Sequence, residues 1–350
     1  MEKTLHKSGI VGEYEFDSSW RDSLSDEYFS YREAFAKQLE QKPVGSGVGR
    51  TPVSLEVETT YHCNLQCPFC ARGVAPGYKE LKHMDQRVWK KLVEDIKGGD
   101  TKALMMDHEG ESLLNPRLCS MISEAREAGV VDVWLHTNGN LLSEQRGRDL
   151  IESGLTRLNV SIDATTEETY SKVRPGGTLE KVESNLREFL NLRNKMNRRD
   201  IRVRVSFVYH DRNAHEREAF IQRWKDDVNV VAIQSMIDLD CFNDPARFLS
   251  DRALTESQKE YLRSFTCEQI WTVPILDTDG NLIACGMPVR QETADDLIIG
   301  NIMDSSLAEL WNSDKLDRLR KKHKNHVLDN PTCKACAVSL ANSSYVQASL

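Results

Sequence analysis

Between residues 53 and 236, short apolar and β-branched runs alternate with longer helical stretches six times. The strand candidates are VSLEVET (53–59), ALMMDH (103–108), VDVWLHT (131–137), RLNVSID (157–163), IRVRVSFVY (201–209) and VNVVAIQSM (228–236). Amphipathic segments such as NPRLCSMISEAREAG and LEKVESNLREFLNLRNKM separate them. Gly98, Gly129 and Gly154 stand where three of these helices should stop. Strands joined through helices pair in parallel, because parallel neighbours need long crossovers. The chain is therefore expected to be an α/β protein built on a parallel sheet. Six units suit either an open doubly wound sheet or an incomplete barrel, and periodicity alone does not choose.

The flanks have a different character. Residues 26–41 read as one amphipathic helix, with Tyr28, Tyr31, Phe35 and Leu39 at helical spacing, and KPVGSGVGR reads as a linker. Near the other end, WTVPILDTDGNLIACG reads as a hairpin turning at Asp279-Gly280-Asn281, followed by the helical stretch SLAELWNSDKLDRLRKKH. The expected division is an arm and linker over 1–50, the βα domain over 51–240 and a smaller module over 241–350. With 46 Lys+Arg against 54 Asp+Glu, the formal charge of −8 argues against a nucleic-acid partner. The basic run Arg318 to Lys324 reads as a solvated helix end. The apolar runs are strand-sized, which argues against a membrane partner, and the first residues lack the apolar middle of a signal peptide. A cytoplasmic setting is expected.

Nine cysteines, an odd number without an export signal, make a poor disulfide framework. Clustered thiols then point to metal or catalysis. Cys63, Cys67 and Cys70 form C-x3-C-x2-C just after the first strand. Three thiolates on one loop hold a four-iron cubane by three of its irons and leave the fourth open for chemistry. Zinc is the alternative, but it would want a regularly spaced fourth ligand, and His62 is adjacent to Cys63.

This motif resembles the defining motif of the radical S-adenosylmethionine (SAM) superfamily, and the resemblance extends over about residues 53–340. It implies a partial (β/α)6 barrel with its reactive end at the C-terminal ends of the strands. It also implies a [4Fe–4S] cluster whose open iron binds SAM, cleavage of SAM to a 5′-deoxyadenosyl radical, and hydrogen-atom abstraction from a substrate. By the same resemblance the SAM contacts are Phe69 of the cluster motif, Gly110 and Glu111 in DHEGES, Asn138 in HTNG, Ser161 and Asp163 in SID, and Arg174 in YSKVRPGG. Glu109 stands where the family's GGE turn has its first glycine.

Cys267 and Cys285 are spaced C-x17-C, and Cys333 and Cys336 form C-x2-C. With DG-x4-C, GNI and LAELWN, this stretch resembles the SPASM/twitch module of radical SAM enzymes. The resemblance implies one auxiliary [4Fe–4S] cluster on these four cysteines, with a structural zinc site as the alternative. Cys119 reads as helix core. Cys241 follows the sixth strand, at the expected barrel mouth, and is assigned as a thiol hydrogen-atom donor. Asp238 and Asp240 on the same loop, and His136 and His210 at strand ends, are candidate substrate contacts or acid/base groups.

Enzymes of this size and module resemble those acting on aminocyclitols, aminoglycosides or sugars at carbinol carbons. The expected reaction is epimerisation with Cys241 returning the hydrogen atom. The alternatives are two-electron dehydrogenation of the same alcohol, with the auxiliary cluster accepting the electron, or modification of a ribosomally made peptide. A flavodoxin or ferredoxin is the expected electron donor. A pure electron-transfer or zinc-scaffold protein is the non-enzyme reading, and the open iron argues against it.

Overall fold

The computed structural model describes residues 10–70, 72, 80–236, 241, 245–250, 254–286 and 297–341. Among these residues ten strands form one sheet in the order β1-β7-β6-β5-β4-β3-β2-β8-β9-β10. Strands β2 (Ser54–Val57), β3 (Ala103–Met105), β4 (Asp132–Thr137), β5 (Arg157–Ser161), β6 (Arg202–Tyr209) and β7 (Val230–Ser235) are the six expected ones. They pair in parallel, each with its sequence neighbour. This is the partial (β/α)6 barrel.

Both flanks continue the sheet. β1 (Ile10–Glu15), unforeseen in the sequence, pairs antiparallel with β7. β8 (Ile275–Leu276) runs parallel to β2. β8 also forms the expected hairpin with β9 (Asn281–Ile283), and β10 (Ile298–Asn301) adds to β9. Gly280, at φ +87°, supplies the left-handed residue that this turn requires. The expected boundaries at residues 50 and 240 thus divide one continuous sheet. Among the described residues, no helix is long and apolar enough to cross a membrane.

Alternate residues of each strand face opposite sides. Leu55, Val57, Leu104, Met106, Val133, Leu135, Leu158 and Val160 pack outward with the crossover helices in the main core. Inward, Ala103, Met105 and Trp134 join Trp20, Tyr28, Tyr31 and Phe35 of the arm in a second apolar cluster. The arm's helix, Asp26–Gln41, begins at Ser25, whose hydroxyl accepts from the Tyr28 N–H. Its aromatic stripe closes the concave face of the sheet near the N-terminal ends of the strands. The basic run is only partly solvated, because Arg320 and His323 are buried. Arg320 donates to the carbonyls of Ile270 and Trp311 and stacks on the Trp311 ring.

Beneath the arm, Asp132 and Arg157 form a buried ion pair at 2.7 Å. Tyr31 and Thr156 hydroxyls also donate to Asp132. Burial alone would raise the Asp132 carboxyl, but Arg157 and the two hydroxyls outweigh it and hold it below its usual range. A depressed carboxyl stabilises the fold above its unfolded pKa, and that contribution is lost as pH falls through the folded value. Arg157→Ala should cost about 3–5 kcal/mol, because it leaves a buried carboxylate without its cation. Urea unfolding measures the loss, and acid unfolding of the variant should begin at higher pH than in the wild type.

Candidate active site and iron–sulfur centres

The cluster motif lies between β2 and the helix Gln86–Ile96, at the C-terminal end of β2. None of the nine cysteines is in a disulfide. Burial raises the Cys63 thiol, with a further rise from Cys70, and pushes Cys67 up to about 11. Cys70 acts on both of these thiols and Cys63 on Cys67, so the loop gathers the three thiols, and burial and mutual repulsion both oppose ionisation of Cys63 and Cys67. A cationic iron centre relieves both costs, since metal binding is coupled to thiol deprotonation. The donor set fits a cluster held by three thiolates.

The neighbouring loops lock onto this one. The His62 carbonyl accepts from the Glu111 N–H at 2.7 Å, and the Gln66 N–H donates to the Pro175 carbonyl. Gly110 explains its own identity. A Cβ there would stand 2.0 Å from the Thr60 carbonyl oxygen and 2.9 Å from that of His62. Only glycine lets the turn approach the strand leading into the cluster loop. Gly110→Ala should weaken SAM binding about 10–100-fold, from about 1–3 kcal/mol of overpacking. Equilibrium dialysis of SAM against the reconstituted variant checks this.

Glu111 is buried, and its carboxylate accepts from Thr137 Oγ1, the Leu113 N–H and the Asn138 N–H. It ties the turn after β3 to the Thr137-Asn138-Gly139 turn after β4. Burial raises its pKa against these hydrogen bonds. Asn138 Nδ2 donates to Asn64 Oδ1, which brings the cluster loop into the same network. Glu109, the departure from the family turn, faces His108 Nε2 at 3.5 Å, while Glu56 meets Nδ1 at 2.8 Å. Burial opposes charge on His108, but the two carboxylates outweigh it and push its pKa well up. Glu109 thus has a structural partner where a glycine would have none.

Asp163 and Arg174, both expected SAM contacts, bind each other. Arg174 Nε donates to Asp163 Oδ2 at 2.7 Å, and the Val208 N–H donates to Oδ1 at 2.6 Å. Asp163 is fully buried at φ +64°, a conformation side chains rarely adopt, and these bonds hold it there. Its placement makes it the anchor of Arg174. Arg174 lies over the Phe69 ring at 6.0 Å, beside the cluster loop. Ser161 Oγ meets Ser206 Oγ at 3.2 Å on the concave face.

His210 sits 5.1 Å from the Phe69 ring. Its Nδ1 accepts from the Arg212 N–H, which leaves the proton on Nε2, and Nε2 is buried without a partner among the described atoms. Burial lowers its pKa, so it stays a neutral donor. His136 is held by Asp107 on Nδ1, and Arg204 donates to its Nε2 at 3.2 Å. Arg204 also donates to Asn159. The other Asp107 oxygen, Oδ1, is buried with no partner among the described residues. Sequence reasoning passed over Asp107. The signal was its register, two residues beyond Met105 on the concave face. One open acceptor at Asp107 and one open donor at His210 fit a polar ligand over the concave face. Asp238 and Asp240 lie outside the described residues.

In the C-terminal module, Cys336 is raised well above the usual thiol range by burial and by the nearby Cys285, Cys267, Cys241 and Cys333. The four expected auxiliary ligands therefore converge. Cys241, the expected hydrogen-atom donor, is fully buried with Phe248, Ala335 and Val338, and Cys336 packs against them. The cause is the helix Pro331–Ala341, which packs on Pro245–Ser250 and closes over this thiol. Cys119 is partly buried against the main core, as a helix-core thiol would be.

Residues 57–223 match the radical SAM superfamily, and residues 267–337 match SPASM, an iron–sulfur cluster-binding domain. The probable GTP 3′,8-cyclase of Methanocaldococcus jannaschii is 30% identical over 144 residues, 41% of this chain and 47% of that protein. The chain thus spans about half the length of the curated relatives it matches. Among solved structures, anSMEcpe with bound AdoMet superposes with a TM-score of 0.56 at 18% identity, covering 79% of this chain and 84% of that one. Streptococcus suis SuiB bound to S-adenosylmethionine gives 0.54 at 14%, covering 85% and 74%. These two likenesses show the fold. With the thiol triplet, the turns locked around it and the second thiol group in place, the chain belongs to the radical SAM superfamily and carries a C-terminal SPASM domain, and its cofactors are SAM and [4Fe–4S] iron–sulfur clusters.

Proposed function

We propose that this enzyme oxidises a carbinol carbon of a small polyhydroxylated substrate, such as an aminocyclitol or sugar, by two electrons. The observation that carries the reading is Asp107 Oδ1, a buried acceptor without a partner among the described residues, on a carboxylate already braced by His136. Unsatisfied buried groups are rare and call for a reason, and a substrate hydroxyl supplies one. Cys63, Cys67 and Cys70 would hold the SAM-binding cluster, and Cys267, Cys285, Cys333 and Cys336 one auxiliary cluster. When bound, these groups and SAM supply hydrogen-atom abstraction and an acceptor for one electron. The chain's own residues do the rest. Arg174, fixed by Asp163, offers a cation for a SAM carboxylate, and Glu111 offers its remaining lone pairs to an ammonium. Asp107 takes the hydroxyl proton at Oδ1 as the carbonyl forms, while His136 and Arg204 stabilise the hydrogen-bonded chain.

Epimerisation requires a hydrogen donor facing the substrate radical, and the enclosure of Cys241 weighs against that role. Modification of a peptide is less favoured, because the arm is committed to β7 and the concave face. A cytoplasmic setting and a flavodoxin or ferredoxin donor belong to the same proposal. The test is anaerobic turnover of the reduced, reconstituted protein with candidate aminocyclitols in heavy water. Oxidation gives 5′-deoxyadenosine and a trappable ketone without solvent deuterium on carbon. An inverted alcohol carrying one deuterium restores epimerisation, and intact clusters without SAM cleavage defeat both readings.

A further inference from the structure

Five thiols, not four, gather in the C-terminal module. Cys241 is 0% exposed, enclosed by Phe248, Ala335 and Val338, with Cys336 packed against the same group. Cys267, Cys285 and Cys333 are near enough to Cys336 to act on its thiol, and Cys241 is too. A fully ligated cubane takes one thiolate per iron, so one thiol is surplus. The surplus one is Cys241. Cys267 and Cys285 flank the β8–β9 hairpin, and Cys333 and Cys336 lie one turn apart on Pro331–Ala341. Cys241 comes from the barrel side, just before the helix Pro245–Ser250 that packs on Pro331–Ala341.

A thiol among apolar side chains is a weak S–H donor. A donor beside a cluster thiolate stabilises the more negative, reduced cluster and so raises its potential, because hydrogen bonds to the sulfurs are among the determinants of that potential. We infer that Cys241 is a positioning residue of the auxiliary cluster, a non-ligand thiol beside Cys336 that sets the cluster's reduction potential. The inference rests on the auxiliary-cluster assignment and not on the choice of oxidation over epimerisation.

The test is an EPR-monitored redox titration of the reconstituted full-length protein as wild type, Cys241→Ala and Cys241→Ser. All three should hold the same iron. Cys241→Ala should lower the auxiliary midpoint by about tenfold in the one-electron equilibrium, about 59 mV. Cys241→Ser, which keeps a donor, should hold the midpoint near the wild-type value and above that of the alanine variant. The signal of the SAM-binding cluster should not move, and it serves as the control for folding. Cys241→Val fills the same apolar volume and repeats the measurement if the alanine variant fails to fold. An unmoved auxiliary potential overturns the inference. Loss of the auxiliary iron from both the alanine and serine variants also overturns it, by making Cys241 a ligand. A wild type that holds only the SAM-binding cluster removes the auxiliary assignment itself, and this is read before any variant.

Discussion

Replacing Cys63, Cys67 and Cys70 together by alanine should abolish reductive cleavage of SAM and remove about half of the iron, about four of eight atoms by the arithmetic of two cubanes. Replacing Cys333 and Cys336 should remove the other half and leave SAM binding in place. The two sites separate this cleanly because they belong to different parts of the sheet. The first is a loop after β2, and the second gathers around the helix Pro331–Ala341. Iron loading should also depend on pH. Cys67 is pushed up to about 11 by burial and by its fellow thiols, and Cys63 is raised too. Ligation must expel these protons, so loading of the apoprotein should fall as pH drops, with release of protons on binding. Iron and acid-labile sulfide analysis after reconstitution at several pH values measures both effects. A triple variant that keeps all its iron, or still releases 5′-deoxyadenosine, contradicts the ligand assignment. Loss of the C-terminal iron should also loosen Pro331–Ala341, since metal binding there is linked to folding.

The parts legible in the sequence were those encoded over short distances. Six strands were readable because apolar, β-branched runs such as RLNVS and VVAIQS recur between amphipathic helices. The thiol triplet was readable because its three residues share one loop. The aromatic stripe of Tyr28, Tyr31 and Phe35 announced a buried helix face, but not that the face would close the barrel's concave side. What was missed depends on distant partners. Asp163 and Arg174 each looked like a ligand contact, and nothing local showed that each is the other's counter-ion. β1 has only six residues, and its identity as a strand comes from pairing with β7 more than 200 positions away. Cys241 looked like a residue of the barrel mouth because it follows the sixth strand. Its real neighbours, Ala335 and Val338, lie over 90 residues later. Asp107 was hidden in a motif read for its neighbour Glu111, and only the inward register of β3 and β4 sets it against His136.

Asp107→Asn should lower product formation about 10²–10⁴-fold, the usual worth of a positioned acid/base group, while SAM binds as in the wild type. The argument runs from position. Met105 and Trp134 face inward beneath the arm's aromatic plug, and Asp107 and His136 stand two residues further along the same strands. They therefore form the first polar layer above an apolar floor, at the C-terminal ends of the strands. Arg204 and Asn159 complete that layer from β6 and β5. A carboxylate there with one oxygen given to His136 and the other unpartnered among the described residues can accept a proton. Asparagine keeps the shape but loses the charge and the basicity. Substrate-dependent SAM cleavage should then become uncoupled from ketone formation, so that 5′-deoxyadenosine exceeds product. His136→Gln should show a weaker form of the same uncoupling, since it disturbs the brace and leaves the acceptor. If Asp107→Asn forms ketone at the wild-type rate with SAM cleavage still coupled, Asp107 does not take the proton. His210, whose buried Nε2 is also unpartnered among the described residues, then becomes the next group to vary.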